Sequence, residues 1–235
     1  MFTADTDFQF GAGLAAVLKS FPAAPRSIHV SESRDEVDYI ARGSGVMADR
    51  HRERGIRVET RDVSPVRYLA EQGYWTEGTL AVHLAQAGDK DLRLLRELGC
   101  TAAFCPGSNA ALGNGIPPIA RAWRLGLTAG LGTDSAISRE RLDMFEEMRL
   151  AVLLSRASDD ALAPGDAFRM ATTEGARAVG LPDAGRIASG GRADFAAVRL
   201  TVSQDEEDVA GALVMRCSSA DVRQVWVAGR EMLSA

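Results

Sequence analysis

Four residues stand where chemistry could be done. Asp134 ends an apolar, glycine-punctuated run over residues 127–135, which reads as a short buried strand delivering one acid to its C-terminal edge. His29 lies near the end of a strand-like run over residues 26–30, with Glu32 three residues later, and His83 ends a second run over residues 79–83. Imidazoles and carboxylates move protons near neutral pH and bind borderline cations such as zinc. Brought to one place, these side chains make an acid–base or metal site. Each has a plainer reading by itself. Asp134 could cap the next helix or start an Asx turn, and His29 could be a surface residue beside the acidic first turn that Glu32, Asp35 and Glu36 would form. His29, His83 and Asp134 close three of four expected strands, however, and that recurrence favours a site over three unrelated polar residues.

The elements that would position them alternate regularly. The strand over residues 26–30 leads into a helix at Arg34–Arg42, and an earlier helical pattern over residues 13–21 stops at Pro22. The charged run Asp49-Arg-His-Arg-Glu-Arg reads as a solvated helix with His51 on its surface. Ser64 is placed to cap a helix that begins at Pro65 and closes at Gly73. After the strand at 79–83 comes a helix over 89–98, closed by Gly99, and then a strand at Thr101–Phe104. A loop rich in glycine and asparagine follows over residues 107–115. Ser108 and Asn109 in it are candidate substrate contacts, with ordinary turn chemistry the alternative. Helices over 118–125 and 141–155 flank the last strand.

This repetition of strand, loop and helix, with connections of crossover length, predicts an α/β fold around a parallel sheet. The pattern changes beyond residue 161. A helix from Pro164 to Val179 is followed by a glycine-rich turn from Gly185, a strand, and two short strands about Gly229. Residues 1–180 are therefore expected to form the α/β part and residues 181–235 a small β appendage.

Composition narrows the function. The 235 residues carry a net charge of −5 with 46% hydrophobic and 25% charged residues, a globular balance with no basic run for nucleic acid. The three cysteines, Cys100, Cys105 and Cys217, form no CxxC pair and read as buried thiols. With no charged-then-apolar leader and no apolar run of membrane-spanning length, a soluble cytoplasmic protein is expected, acting on a small molecule and not at a membrane.

The segments Ile28-His-Val-Ser-Glu-Ser-Arg-Asp-Glu-Val, Ala81-Val-His-Leu, Phe104-Cys-Pro-Gly-Ser-Asn, Gly130-Leu-Gly-Thr-Asp-Ser and Gly185-Arg-Ile-Ala-Ser-Gly-Gly-Arg-Ala-Asp together resemble the amidohydrolase superfamily, in its deaminase and chlorohydrolase-like branch. The resemblance implies a (β/α)8 TIM-type barrel of which this chain carries strands five to eight, the C-terminal half, with part of a small β-sandwich appendage. It implies Zn2+ or another divalent metal held by His29 and Asp134. It casts Glu32 as the acid that passes a proton to a ring nitrogen, His83 as the histidine that orients the hydrolytic water or binds a second metal, and Asp134 as the base for that water. The implied reaction is metal-dependent hydrolysis of a C–N bond, with deamination of a nitrogen heterocycle favoured over dechlorination or cyclic-amide opening.

The pattern of that family begins with His-x-His on its first strand. The chain has three histidines, at positions 29, 51 and 83, none two apart. Gly107 also stands where the family often has a positive residue. The expectation is therefore a fragment whose N-terminal half lies elsewhere, inactive by itself. The alternative is a catalytically inactive module that pairs with itself or with a partner chain, and a weaker third reading is a metal-free acid–base enzyme using Glu32, His83 and Asp134.

Overall fold

A computed structural model of the chain describes residues 2–3, 20, 24–158, 160–202 and 207–234. The helix expected over residues 13–21 lies outside these, Ser20 apart. Five strands pair in parallel in sequence order: Phe2–Thr3 (β1), Ser27–Val30 (β2), Leu80–His83 (β3), Thr101–Phe104 (β4) and Ala129–Leu131 (β5). One strand more is present than the four expected, because β1 pairs with Ile28 and His29 on the outer side of β2. β5 is much shorter than the run at 127–135: its ladder ends where Leu131 pairs with Phe104, and Gly132 closes it by donating to the Phe104 carbonyl.

Several helices begin and end where local chemistry dictates. Arg34–Arg42 (α1) is capped by the Ser33 hydroxyl, which accepts from Glu36 N–H, and stops at Gly43 with φ of 60°. Val46–Glu53 (α2) follows. Pro65–Glu71 (α3) has the expected Ser64 cap and N-terminal proline, and Asp89–Glu97 (α4) ends ahead of Gly99 at φ of 68°. The segment expected as a glycine-rich loop begins as a short helix, Pro106–Ala111 (α5), since proline suits a first helical turn. Ile119–Arg124 (α6), Ala136–Arg139 (α7) and Met144–Ala157 (α8) come next. The single helix expected from Pro164 to Val179 is two, Pro164–Ala171 (α9) and Thr173–Ala178 (α10). Thr172, with φ and ψ of −127° and −99°, breaks it.

That break lets α10 press against β5. A Cβ on Gly130 would sit 2.8 Å from Gly175 Cα, and one on Gly175 would sit 2.6 Å from Met170 O. Glycine at 130 is what allows the helix to approach the strand, and glycine at 175 is what lets α10 fold back close to the end of α9. The core under the sheet collects Ile28, Val30, Ala81, Phe104, Leu127, Met148, Val152 and Met170 from strands and helices alike, and a fully buried Leu, Phe or Met stabilises such a core by about 1.5–3 kcal/mol. Small residues on the strands, Ala81, Ala102 and Ala129, all with no exposure, leave room for these larger helix side chains.

The C-terminal part is a three-stranded antiparallel sheet of Phe195–Val198 (β6), Val222–Val227 (β7) and Arg230–Ser234 (β8), as the alternation about Gly229 predicts. An unforeseen helix, Val209–Arg216 (α11), precedes β7 and packs on α8 and α9, sending Val214 into the main core. Residues past 181 are thus not confined to the appendage. Among the described residues no helix is long and apolar enough to cross a membrane.

Candidate active site

The C-terminal ends of β2, β3 and β5 deliver the chemistry. His29 lies in β2 and His83 ends β3, and both are buried. Their rings meet edge to face, with centroids 4.8 Å apart and planes at 83°. Glu32, on the turn after β2, places Oε2 3.6 Å from His83 Nε2. One ligand atom from each of His29, Glu32 and His83 lies within 4.8 Å of the others, a group able to hold a metal ion.

The backbone at this edge is unusual. Ser31, His83, Leu84 and Asp134 all have φ between 50° and 73°, the left-handed region that non-glycine residues avoid. Such strain persists only where surrounding bonds over-determine it, and it clusters at functional sites. Those bonds are present. The buried carboxylate of Glu36 accepts from Ser31 N–H at 2.9 Å and from Glu32 N–H at 2.8 Å, fixing the turn that carries Glu32. Asn114 Nδ2 donates to Glu32 Oε1 at 3.1 Å, and Gln86 Nε2 holds the Asn114 carbonyl.

Asp134 stands beside the three-residue group without belonging to it. It does not cap α7, whose N-cap is Ser135. Its Oδ2 accepts from Ser108 Oγ at 2.7 Å. Burial works to raise its pKa, but bonds from the Ser108 and Ser138 side chains and the Ser135 backbone, with attraction to His83, outweigh burial and hold the carboxyl below its usual value. Ser108 and Asn109 are both fully buried, Ser108 against Asp134 and Asn109 with Nδ2 3.4 Å from His83 Nδ1. The α5 segment that carries them is anchored from below, where Gly107 N–H donates to Glu147 Oε2 at 2.9 Å and Arg139 pairs with the same buried carboxylate. His51, expected on the surface, is half-buried. Its ring stacks on Tyr39 at 5.0 Å, with Nδ1 2.9 Å from Met47 O, away from the other two histidines.

Glu36, Asn114 and Glu147 were not foreseen as parts of this arrangement. Ser33-x-x-Glu36 carries the signature of a helix cap, which marks Glu36 as a capping residue but not its reach back to Ser31 and Glu32. Gly113 and Gly115 mark a turn that presents Asn114, yet nothing local names a partner 82 residues away.

Two imidazoles and a carboxylate with a second carboxylate nearby are a donor set that zinc accepts, so the residues fit a divalent ion. Residues 6–232 match the sequence description of the amidohydrolase family. The chain is 36% identical over 211 residues, 88% of its own length and 45% of the relative's, to a 5-methylthioadenosine/S-adenosylhomocysteine deaminase of Pelotomaculum thermopropionicum. It is 38% identical over 171 residues, 72% of its length and 36% of the relative's, to a 5'-deoxyadenosine deaminase of Methanothermobacter thermautotrophicus. The fold superposes on a zinc-bound adenosine deaminase from Xanthomonas campestris with a TM-score of 0.79 at 28% identity, covering 97% of this chain and 49% of that one. The chain spans about half the length of the curated relatives it matches. It belongs to the amidohydrolase family, in the deaminase-like branch.

Proposed function

We propose that the chain is the C-terminal half of a metal-dependent amidohydrolase that deaminates a nitrogen heterocycle, the adenine ring of a nucleoside being the favoured class. β2 to β5 are strands five to eight of a (β/α)8 barrel, and β6 to β8 are part of its appended β-sandwich. The observation that carries the reading is the meeting of His29, Glu32 and His83, with their ligand atoms within 4.8 Å, at strand ends where barrel enzymes place their chemistry. The relatives named as adenosine-type deaminases support the substrate class.

His29 and Asp134, with His83 and Glu32 beside them, would hold zinc together with donors from the other half. When bound, zinc supplies Lewis acidity that lets water lose a proton near neutral pH. Asp134, kept ionised by Ser108, takes that proton as the water oxygen adds to the ring carbon bearing the amino group. Glu32 delivers a proton to the ring nitrogen, and His83 orients the water. Asp134 then passes the water's proton to the amino group, the hydroxyl proton of the adduct returns to Glu32, the C–N bond breaks, and ammonia and the ring carbonyl are the products. Ser108 and Asn109 serve the substrate through Asp134 and His83. Three buried free thiols suit the reducing cytoplasm as the compartment.

The test is ammonia release from adenosine-type nucleosides. The chain is to be assayed with zinc, alone and mixed with a separately made polypeptide carrying the first four barrel strands and their His-x-His. Activity only in the mixture is expected; a reassembled, zinc-loaded barrel that frees no ammonia from any aminated heterocycle would overturn the proposal. A second reading, a non-catalytic pairing module, is favoured by the open sheet, in which β1 and β5 are end strands among the described residues. Sedimentation showing a metal-free, stable dimer would support it.

A further inference from the structure

Glu147 is fully buried in the first turn of α8 and takes no part in the reaction proposed above. Its two oxygens serve two different helices. Oε2 accepts from Gly107 N–H at 2.9 Å, in the first turn of α5, and Oε1 pairs with the guanidinium of Arg139, the last residue of α7. Arg139 is itself buried, with Nη2 2.8 Å from Glu146 Oε2. Each of these two contacts stands one residue from a hydroxyl that bears on Asp134. Ser108 Oγ donates to Asp134 Oδ2 at 2.7 Å, and the Ser138 side chain donates to the same carboxylate.

We propose that Glu147 is a positioning residue for Asp134: by binding Gly107 with one oxygen and Arg139 with the other, it fixes α5 and α7 to α8 and so holds Asp134 between the hydroxyls of Ser108 and Ser138. Helices of six and four residues have too few internal hydrogen bonds to be rigid by themselves. α8, with 14 residues and the Asp143 cap, is the firm support. The space is shaped for the pair. A Cβ on Gly107 would lie 1.6 Å from Arg139 Nη1, so the guanidinium fills the place that a side chain at 107 would take. A buried ion pair stabilises a fold little more than apolar side chains of the same volume, and its best-attested use is to fix one arrangement among several. Asp134 needs such fixing, since its φ of 57° is a conformation that residues with a side chain hold only when their surroundings impose it. The importance for catalysis rests on the proposed hydrolase reading; the clamp itself does not.

NMR of the metal-free chain, labelled with carbon-13 and nitrogen-15, tests this. Three-bond couplings from Asp134 Cγ to its own backbone nitrogen and carbonyl carbon report χ1: a single rotamer gives extreme values, and exchange among rotamers gives intermediate ones. Asp134 is expected in one rotamer in the unaltered chain. Glu147→Gln, in which an NH2 replaces one acceptor oxygen, and Arg139→Ala should both lose the single rotamer, and Arg139→Lys, which keeps a cation opposite Glu147, should retain it. Ser155→Ala is the control for a merely structural effect. Ser155 is buried further along α8, where its Oγ donates to Val152 O and accepts from Leu162 N–H, so its loss weakens the fold without touching the clamp. The control should keep Asp134 in one rotamer. Averaging in the unaltered chain, a single rotamer in Glu147→Gln or Arg139→Ala, or averaging as complete in Arg139→Lys or Ser155→Ala would overturn the proposal. Arg139→Ala and the unaltered chain decide the matter if Glu147→Gln does not fold. Neither metal nor turnover is read, so a failure of the hydrolase reading leaves this result standing, and a failed clamp leaves that reading untouched.

Discussion

His29 and His83 occupy neighbouring parallel strands one residue out of step, and their rings still meet with centroids 4.8 Å apart. In the β2–β3 register His29 pairs with Val82, and His83 pairs with Val30. Strict alternation would send the two imidazoles to opposite faces of the sheet. His83 escapes because its φ is 73° and that of Leu84 is 54°, a left-handed step at the strand's last residue that re-aims the ring toward β2. The site is therefore built on a break in strand geometry, held by the bonds around it.

That arrangement predicts metal-linked stability. Zinc should raise the unfolding temperature of the chain, and a chelator should reverse the rise. At a free zinc concentration one hundred times the dissociation constant the gain is about 2.7 kcal/mol. His83→Asn, which tolerates the left-handed backbone but removes the imidazole, should lose most of the shift, as should His29→Ala. Calorimetric melts with and without zinc measure both, and a shift of equal size in all three proteins would refute the assignment of the donors.

Gly107 should not tolerate a side chain. A Cβ there would fall within the Arg139 guanidinium and 2.5 Å from Glu147 Oε1, so Gly107→Ala is expected to destabilise the fold by about 1–3 kcal/mol. Gly165, in the first turn of α9 with nothing within 4 Å of its would-be Cβ, is the control. Gly165→Ala should be neutral or stabilising by up to about 1 kcal/mol. Urea midpoints at constant m-value compare the two.

Acid stability should depend on Asp143. Burial tends to raise its pKa, but the backbone and side chain of Ser219 and the amides of Glu146 and Phe145 hold it below the ordinary carboxylate value. A native value below the unfolded one contributes stability above the ordinary carboxylate range, and that contribution is lost as pH falls through the depressed value. Asp143→Ala removes the cap of α8 and should cost about 1 kcal/mol at neutral pH. The variant should also show a shallower loss of stability between neutral and acid pH, read from urea midpoints across that range.

The cysteines should be silent toward thiol reagents. Burial, followed by the charges of Asp134, Glu147 and Glu32, pushes the Cys105 thiol up to about 12, and burial pushes Cys100 to about 11. At pH 8 neither should react in the native chain, and all three cysteines should react once it is unfolded. The folded state holds these protons more tightly. This contribution to stability is therefore complete below the ordinary thiol value near 9 and is lost as pH rises toward about 12. Mass spectrometry after alkylation counts the labels.

Local chemistry was legible in the sequence wherever one segment decided the outcome. Ser64 announced its helix and Gly73 and Gly99 ended theirs, and apolar runs placed β2 to β5 with His29, His83 and Asp134 near their C-terminal ends. What the sequence by itself determined was this set of elements, because caps, turns and strand runs are governed by residues a few positions apart. Only the tertiary structure decided that His83 turns toward His29, that Glu36 grips the Glu32 turn, that Asn114 reaches Glu32 across 82 residues, and that Gly130 lets α10 lie against β5. Each of these depends on where distant segments come to rest, and a buried carboxylate or a left-handed histidine is tolerable only once packing has supplied the partners that hold it.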